Sequence, residues 1–68
     1  MNWKLKLWLK FHKIFYTKNE DKTLFFFYKK INKNKKVYII YFTLEELITC
    51  SDKYLIKFIK KEVQRLAY

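Results

Sequence analysis

Five lysines, Lys29, Lys30, Lys33, Lys35 and Lys36, fall within eight residues, and Tyr28 and Tyr38 bracket them. Ammonium groups at this density neutralise phosphates, and exposed rings stack on bases, so the spacing points to nucleic-acid chemistry. Trp8, among the alternating lysines of MNWKLKLWLKFHKIF, is a third candidate ring. Lysine in place of arginine favours contact with the backbone, because bidentate reading of guanine is mostly an arginine task.

Other combinations carry less. Glu45 and Glu46 are adjacent acids, but they follow Thr43 where a helix start would want them. Glu20 and Asp21 lie in a polar turn. His12 has no partner at a spacing that makes a catalytic pair, and Cys50 beside Ser51 reads as a small apolar filler. His12 and Cys50 are the only soft metal ligands, and no ligand motif joins them. The chain has no glycine with which to build a phosphate-cradling loop. The residues therefore predict no catalysis, no cofactor and no metal.

A chain of 68 residues is one small domain, and its own core is marginal at that size. One cysteine excludes an internal disulfide, so stability must come from the seven Phe, six Tyr and two Trp or from a partner. Net charge is +10, with fifteen lysines and Arg65 against six acids. Such a balance suits phosphate-bearing or acidic partners, although lysine with Asn, Ile, Phe and Tyr is also what an A/T-rich coding sequence favours. The longest apolar runs, Leu24 to Tyr28 and Val37 to Phe42, fall far short of the roughly 20 residues of a membrane span. Lysines interrupt the N-terminal apolar region, against a signal peptide. An unpaired cysteine fits a reducing compartment, and the cytoplasm is the expected location.

The elements that must position these residues follow from periodicity. Trp3, Leu5, Leu7, Leu9 and Phe11 alternate with Lys4, Lys6, Trp8, Lys10 and His12, which predicts a strand over 3–11 with one buried face. The alternation slips at Lys13, and a bulge near 12–13 would restore it. Thr17 to Lys22 is a polar turn. Thr23 to Ile31 and Lys36 to Phe42 are aromatic and β-branched runs, read as two strands joined through Asn32, Lys33, Asn34 and Lys35. Asparagine tolerates the left-handed region, so this hairpin needs no glycine. Register is open by one residue, since both faces of these strands are apolar. Thr43-Leu-Glu-Glu46 is a capping box that starts a short helix to about Thr49. Ser51 or Asp52 can cap again, and Lys53 to Leu66 carries Leu55, Ile56, Ile59, Val63 and Leu66 at helical spacing. The expected fold is α+β: a three-stranded antiparallel sheet within 1–42, then a helical part within 43–68, broken near 50–52 and packed on one face. This β-β-β-α order is similar to that of small DNA-binding domains at the N-termini of some tyrosine recombinases, a likeness of element order alone.

One helical layer covers one face of a sheet, yet strands alternate side chains to both. The apolar residues are too many to lie all beneath the helix, so an aromatic and basic face is left open. Residues 1–42 hold eleven lysines and two acids, whereas 43–68 hold four lysines, Arg65 and four acids, so the charge sits with the sheet half. The expected function is non-catalytic binding of DNA or RNA by that face and the lysine hairpin. The alternative is a phage-type inhibitor or accessory subunit that grips a larger nucleic-acid-processing protein complex with the same surface. A homodimer with sheets face to face is the plainer form of protein contact. Lys53, Lys57, Lys61 and Arg65 recur every four residues, but an ordinary solvated helix face explains them better than a membrane does.

Overall fold

Trp3–Phe11 forms a helix, α1, and not the strand that its alternation predicts. The computed structural model describes residues 3–66. At about 100° per residue the alternating set splits into two groups: Leu5 and Leu9 stack one turn apart, and Trp3, Leu7 and Phe11 lie on the opposite side. The first pair is buried and the second three are exposed. None of the nine residues is β-branched, and leucine and lysine are strong helix formers, so local propensity favours the helix. The slip at Lys13 is the end of this helix rather than a bulge. Lys13 adopts φ 57°, its N–H donates to the Lys10 carbonyl at 3.1 Å, and the Ile14 N–H donates to the Leu9 carbonyl at 2.9 Å. These are the paired bonds of a Schellman cap, sealed by the buried side chains of Leu9 and Ile14.

The sheet therefore starts at Phe15. Its strands are β1 (Phe15–Lys18), β2 (Leu24–Asn32) and β3 (Lys35–Thr43), antiparallel in the order β1-β2-β3. Thr17 and Lys18, read as turn residues, belong to β1. Asn19 shapes the β1–β2 loop: its Oδ1 accepts from the N–H groups of Thr23 and Leu24 at 2.9 and 3.1 Å. Asn32 does the same in the β2–β3 hairpin, where its Oδ1 accepts from Asn34 and Lys35, each at 2.9 Å. Among the described residues only Lys13 and Lys22 have positive φ, so Asn34 does not enter the left-handed region. The glycine-free hairpin works through the Asn32 side chain, with a register shift between Lys30 and Asn32 that leaves Ile31 without a cross-strand partner.

The helical half is as the caps predict. The Thr43 hydroxyl accepts from the Glu46 N–H at 3.1 Å, and the Glu46 carboxylate accepts from the Thr43 N–H at 3.0 Å, which opens α2 (Leu44–Thr49). Cys50 and Ser51 are extended, and the Ser51 hydroxyl then accepts from the Tyr54 N–H to start α3 (Asp52–Arg65). One core joins all of these elements. Leu5, Leu9 and Ile14 meet Phe25, Phe27, Ile39 and Phe42 of the sheet together with Leu47, Leu55 and Ile59 of the later helices. The three-stranded sheet with C-terminal helices packed against it matches the expected architecture; the N-terminal helix is the addition. No helix among the described residues is long and apolar enough to cross a membrane.

A lysine in the left-handed region carries a penalty of roughly 1 kcal/mol that glycine avoids. Lys13→Gly is expected to raise stability by up to about 1 kcal/mol in urea unfolding, and Lys13→Val to lower it.

Candidate nucleic-acid interface

The phase of β3 sets the open face of the sheet. Phe27 pairs with Ile40 and Tyr28 with Tyr38, so Ile39 is an extra residue on β3. This bulge puts Tyr38 and Tyr41, three positions apart, on the same outer side, while Ile39 and Phe42 both enter the core. The outer rings form a continuous row across all three strands. Phe15 stacks on Tyr28 with centroids 5.8 Å apart and planes inclined by 26°. Tyr28 meets Tyr38 at 5.6 Å, Tyr38 meets Phe26 at 6.3 Å, and Phe26 meets Tyr41 at 6.0 Å. All of these separations lie in the favourable range for aromatic pairs. Phe26 and Tyr28 are half-buried by their neighbours; Tyr38 and Tyr41 remain 56% and 61% exposed, since no helix among the described residues lies over them.

Two lysines sit on this row. Lys30 and Lys36 are directly opposite on β2 and β3. Like charges facing each other destabilise a strand pair, and here each ammonium is held over a ring. The Lys30 Nζ is 5.0 Å from the Phe15 centroid, and the Lys36 Nζ is 4.9 Å from that of Tyr28. Such contacts contribute about 0.5–1 kcal/mol at exposed sites. Lys33 and Lys35 project from the hairpin end, both exposed. Neither β2, β3 nor the turn between them contains an acid. The arrangement offers ring faces to planar groups and ammonium groups to anions, side by side.

The structure brings together Tyr28, Tyr38, Lys30 and Lys36 of the predicted set, with Lys33 and Lys35 at the adjoining tip. Lys29 is placed differently. It pairs with Val37 on the helix side of the sheet, half-buried, where it borders a crevice with Val37, Ile39, Val63 and Leu66. Trp8 is not on the sheet at all. Because residues 3–11 are helical, it projects from α1, packs on the core and lies 4.3 Å from the His12 ring. Phe15, Phe26 and Tyr41 were not singled out from the sequence. A first strand over 3–11 leaves Phe15 outside the sheet, and strict alternation assigns Tyr41, an odd number of residues from Tyr38, to the other face. The charge is also spread more widely than expected, since Lys4, Lys6 and Lys10 belong to α1.

Glu46, read as part of a helix start, closes its capping box. Glu62, which the sequence reading does not address, pairs with Arg65 at 3.1 Å. Among the described residues no cluster of His, Cys, Asp and Glu could hold a metal ion. No family model, no curated protein and no solved structure matches this chain.

The two sheet faces should respond differently to truncation. Phe27→Ala, at a fully buried position, is expected to cost about 3–5 kcal/mol in urea unfolding. Tyr41→Ser on the outer face should cost only about 1 kcal/mol, the order of one aromatic pair. Equal losses would mean that the outer rings serve the fold.

Proposed function

We propose that this chain is a small, non-catalytic nucleic-acid-binding protein that takes single-stranded DNA or RNA on the outer face of its sheet. The observation that carries the reading is the row of five rings, Phe15, Tyr28, Tyr38, Phe26 and Tyr41, with Lys30 and Lys36 seated on it, on the face that the helices leave open. A duplex hides its base faces by stacking them on one another; a single strand can lay them on protein rings. Each base stacked on an aromatic side chain contributes roughly 1–3 kcal/mol. Tyr38 and Tyr41 are the stacking groups with the most exposed surface, and Tyr28 supports Tyr38 from beside it.

The phosphates fall to Lys30 and Lys36 on the face and to Lys33 and Lys35 at the tip; Lys29, on the helix side of the sheet, takes no part. Ammonium groups attract phosphate without fixing its orientation, so the contact is one of charge and stacking rather than base-edge reading. We place the protein in the cytoplasm on the strength of its one free thiol, Cys50.

Anisotropy of labelled dT12 and U12 across a salt series tests the reading. About four phosphate contacts on a single strand give a slope near −3 in log affinity against log salt. Tyr38→Ala and Tyr41→Ala should each weaken binding about tenfold or more. Reversing Lys33, Lys35 and Lys36 to glutamate should weaken binding and flatten the slope; unchanged affinity would remove the hairpin from the site. Failure of the folded protein to bind either strand at low salt would transfer the face to a protein partner.

A further inference from the structure

A second basic surface lies on the helical side, away from the outer rings. A groove runs between α1 and α3, floored by Trp8 and Ile56 and walled by Lys53, Lys57, Lys60 and Lys61. It continues past Trp8 and Lys60 to Val63, Gln64 and Lys29. From Asp52 to Gln64 this is about 18 Å of helix at 1.5 Å per residue. The sole acid along the first stretch is Asp52, and α3's other acid, Glu62, is engaged by Arg65. Lys53, Lys57 and Lys61 stand four residues apart, a spacing at which like charges repel by a few tenths of a kcal/mol per pair. Nothing in the core requires this stripe, because α3 buries Leu55 and Ile59 instead.

We propose that this groove docks an acidic amphipathic helix of a partner protein. An occupant must satisfy two demands at once. It must bring carboxylates to four lysines, and it must bring apolar side chains to Trp8 and Ile56. A helix with a leucine-type stripe flanked by glutamates meets both, in the manner of helix-in-groove recognition. A phosphate backbone meets only the first, and the Trp8 ring is partly covered by the His12 imidazole 4.3 Å away, which leaves it poorly placed to stack a base. The length of the groove matches about three turns of such a helix. With the nucleic-acid face on the opposite side of the sheet, the chain would hold both partners simultaneously. The groove does not depend on the reading of that face.

The test uses the full chain and a labelled 16-residue helical peptide with leucine on one side and glutamate on the other. A second peptide of the same composition has the two residues scattered. Trp3→Phe leaves Trp8 as the only indole. The amphipathic peptide should bind at least tenfold tighter than the scattered one and change Trp8 emission. Lys57→Glu with Lys61→Glu should weaken that peptide tenfold or more while dT12 affinity is kept, and Tyr41→Ser should leave the peptide unaffected. Equal binding of both peptides, no binding of either, indifference to the Lys57 and Lys61 reversals, or displacement of the peptide by dT12 or by phosphatidylserine vesicles would each overturn the proposal.

Discussion

Phe27 is the point on which this small structure turns. It is fully buried, and it meets Phe42 edge-on at 5.7 Å and Tyr16 at 6.0 Å within the sheet's inner face. A chain of 68 residues with one cysteine has neither a disulfide nor much surface to bury. It places its aliphatic residues, Leu5, Leu9, Leu47, Leu55 and Ile59, around the aromatic centre and commits all of its helices to that side. The consequence is geometric. Strands that supply one face to the core must present another, and nothing remains in the described chain to cover it.

What occupies the open face is decided by one extra residue. Without the bulge at Ile39, strict alternation would send Tyr38 and Tyr41 to opposite sides, and the row of rings would be interrupted between β2 and β3. With it, the inner face gains Ile39 and Phe42 and the outer face gains both tyrosines. The lysines then have a structural reason to sit where they do. Lys30 and Lys36 face each other across the strands, and each is held by a ring beneath it. Aromatic surface and charge on this face are thus one arrangement, and the same arrangement suits stacked bases and their phosphates. The groove on the helical side combines Trp8 and Ile56 with four lysines, and the occupant proposed there is an acidic helix with an apolar stripe.

The legible parts of the sequence were those with short-range punctuation. Thr43 with Glu46 announced α2, Ser51 or Asp52 announced α3 (Ser51 caps it), and the runs on either side of Asn32 to Lys35 announced the hairpin. The open aromatic face also followed from counting apolar residues against one covered side. The first nine described residues misled because their period of two is shared by a strand and by a helix with two apolar sides. Here the absence of β-branched residues, and not the alternation, carried the information. That error put Trp8 into the expected site and hid Phe15, which could join the row only once β1 began after Lys13. Register around Ile39 was out of reach, because Ile39 and Ile40 are chemically alike and only tertiary packing chooses which of them faces the core.

The most direct test of the account is to map the contact of dT12 by NMR on the labelled protein. The account predicts that ring and amide resonances of Phe15, Phe26, Tyr28, Tyr38 and Tyr41 shift on titration, together with the hairpin lysines, while those of α3 stay in place. Shifts confined to Lys53, Lys57, Lys60 and Lys61, with the outer rings unmoved, would contradict it.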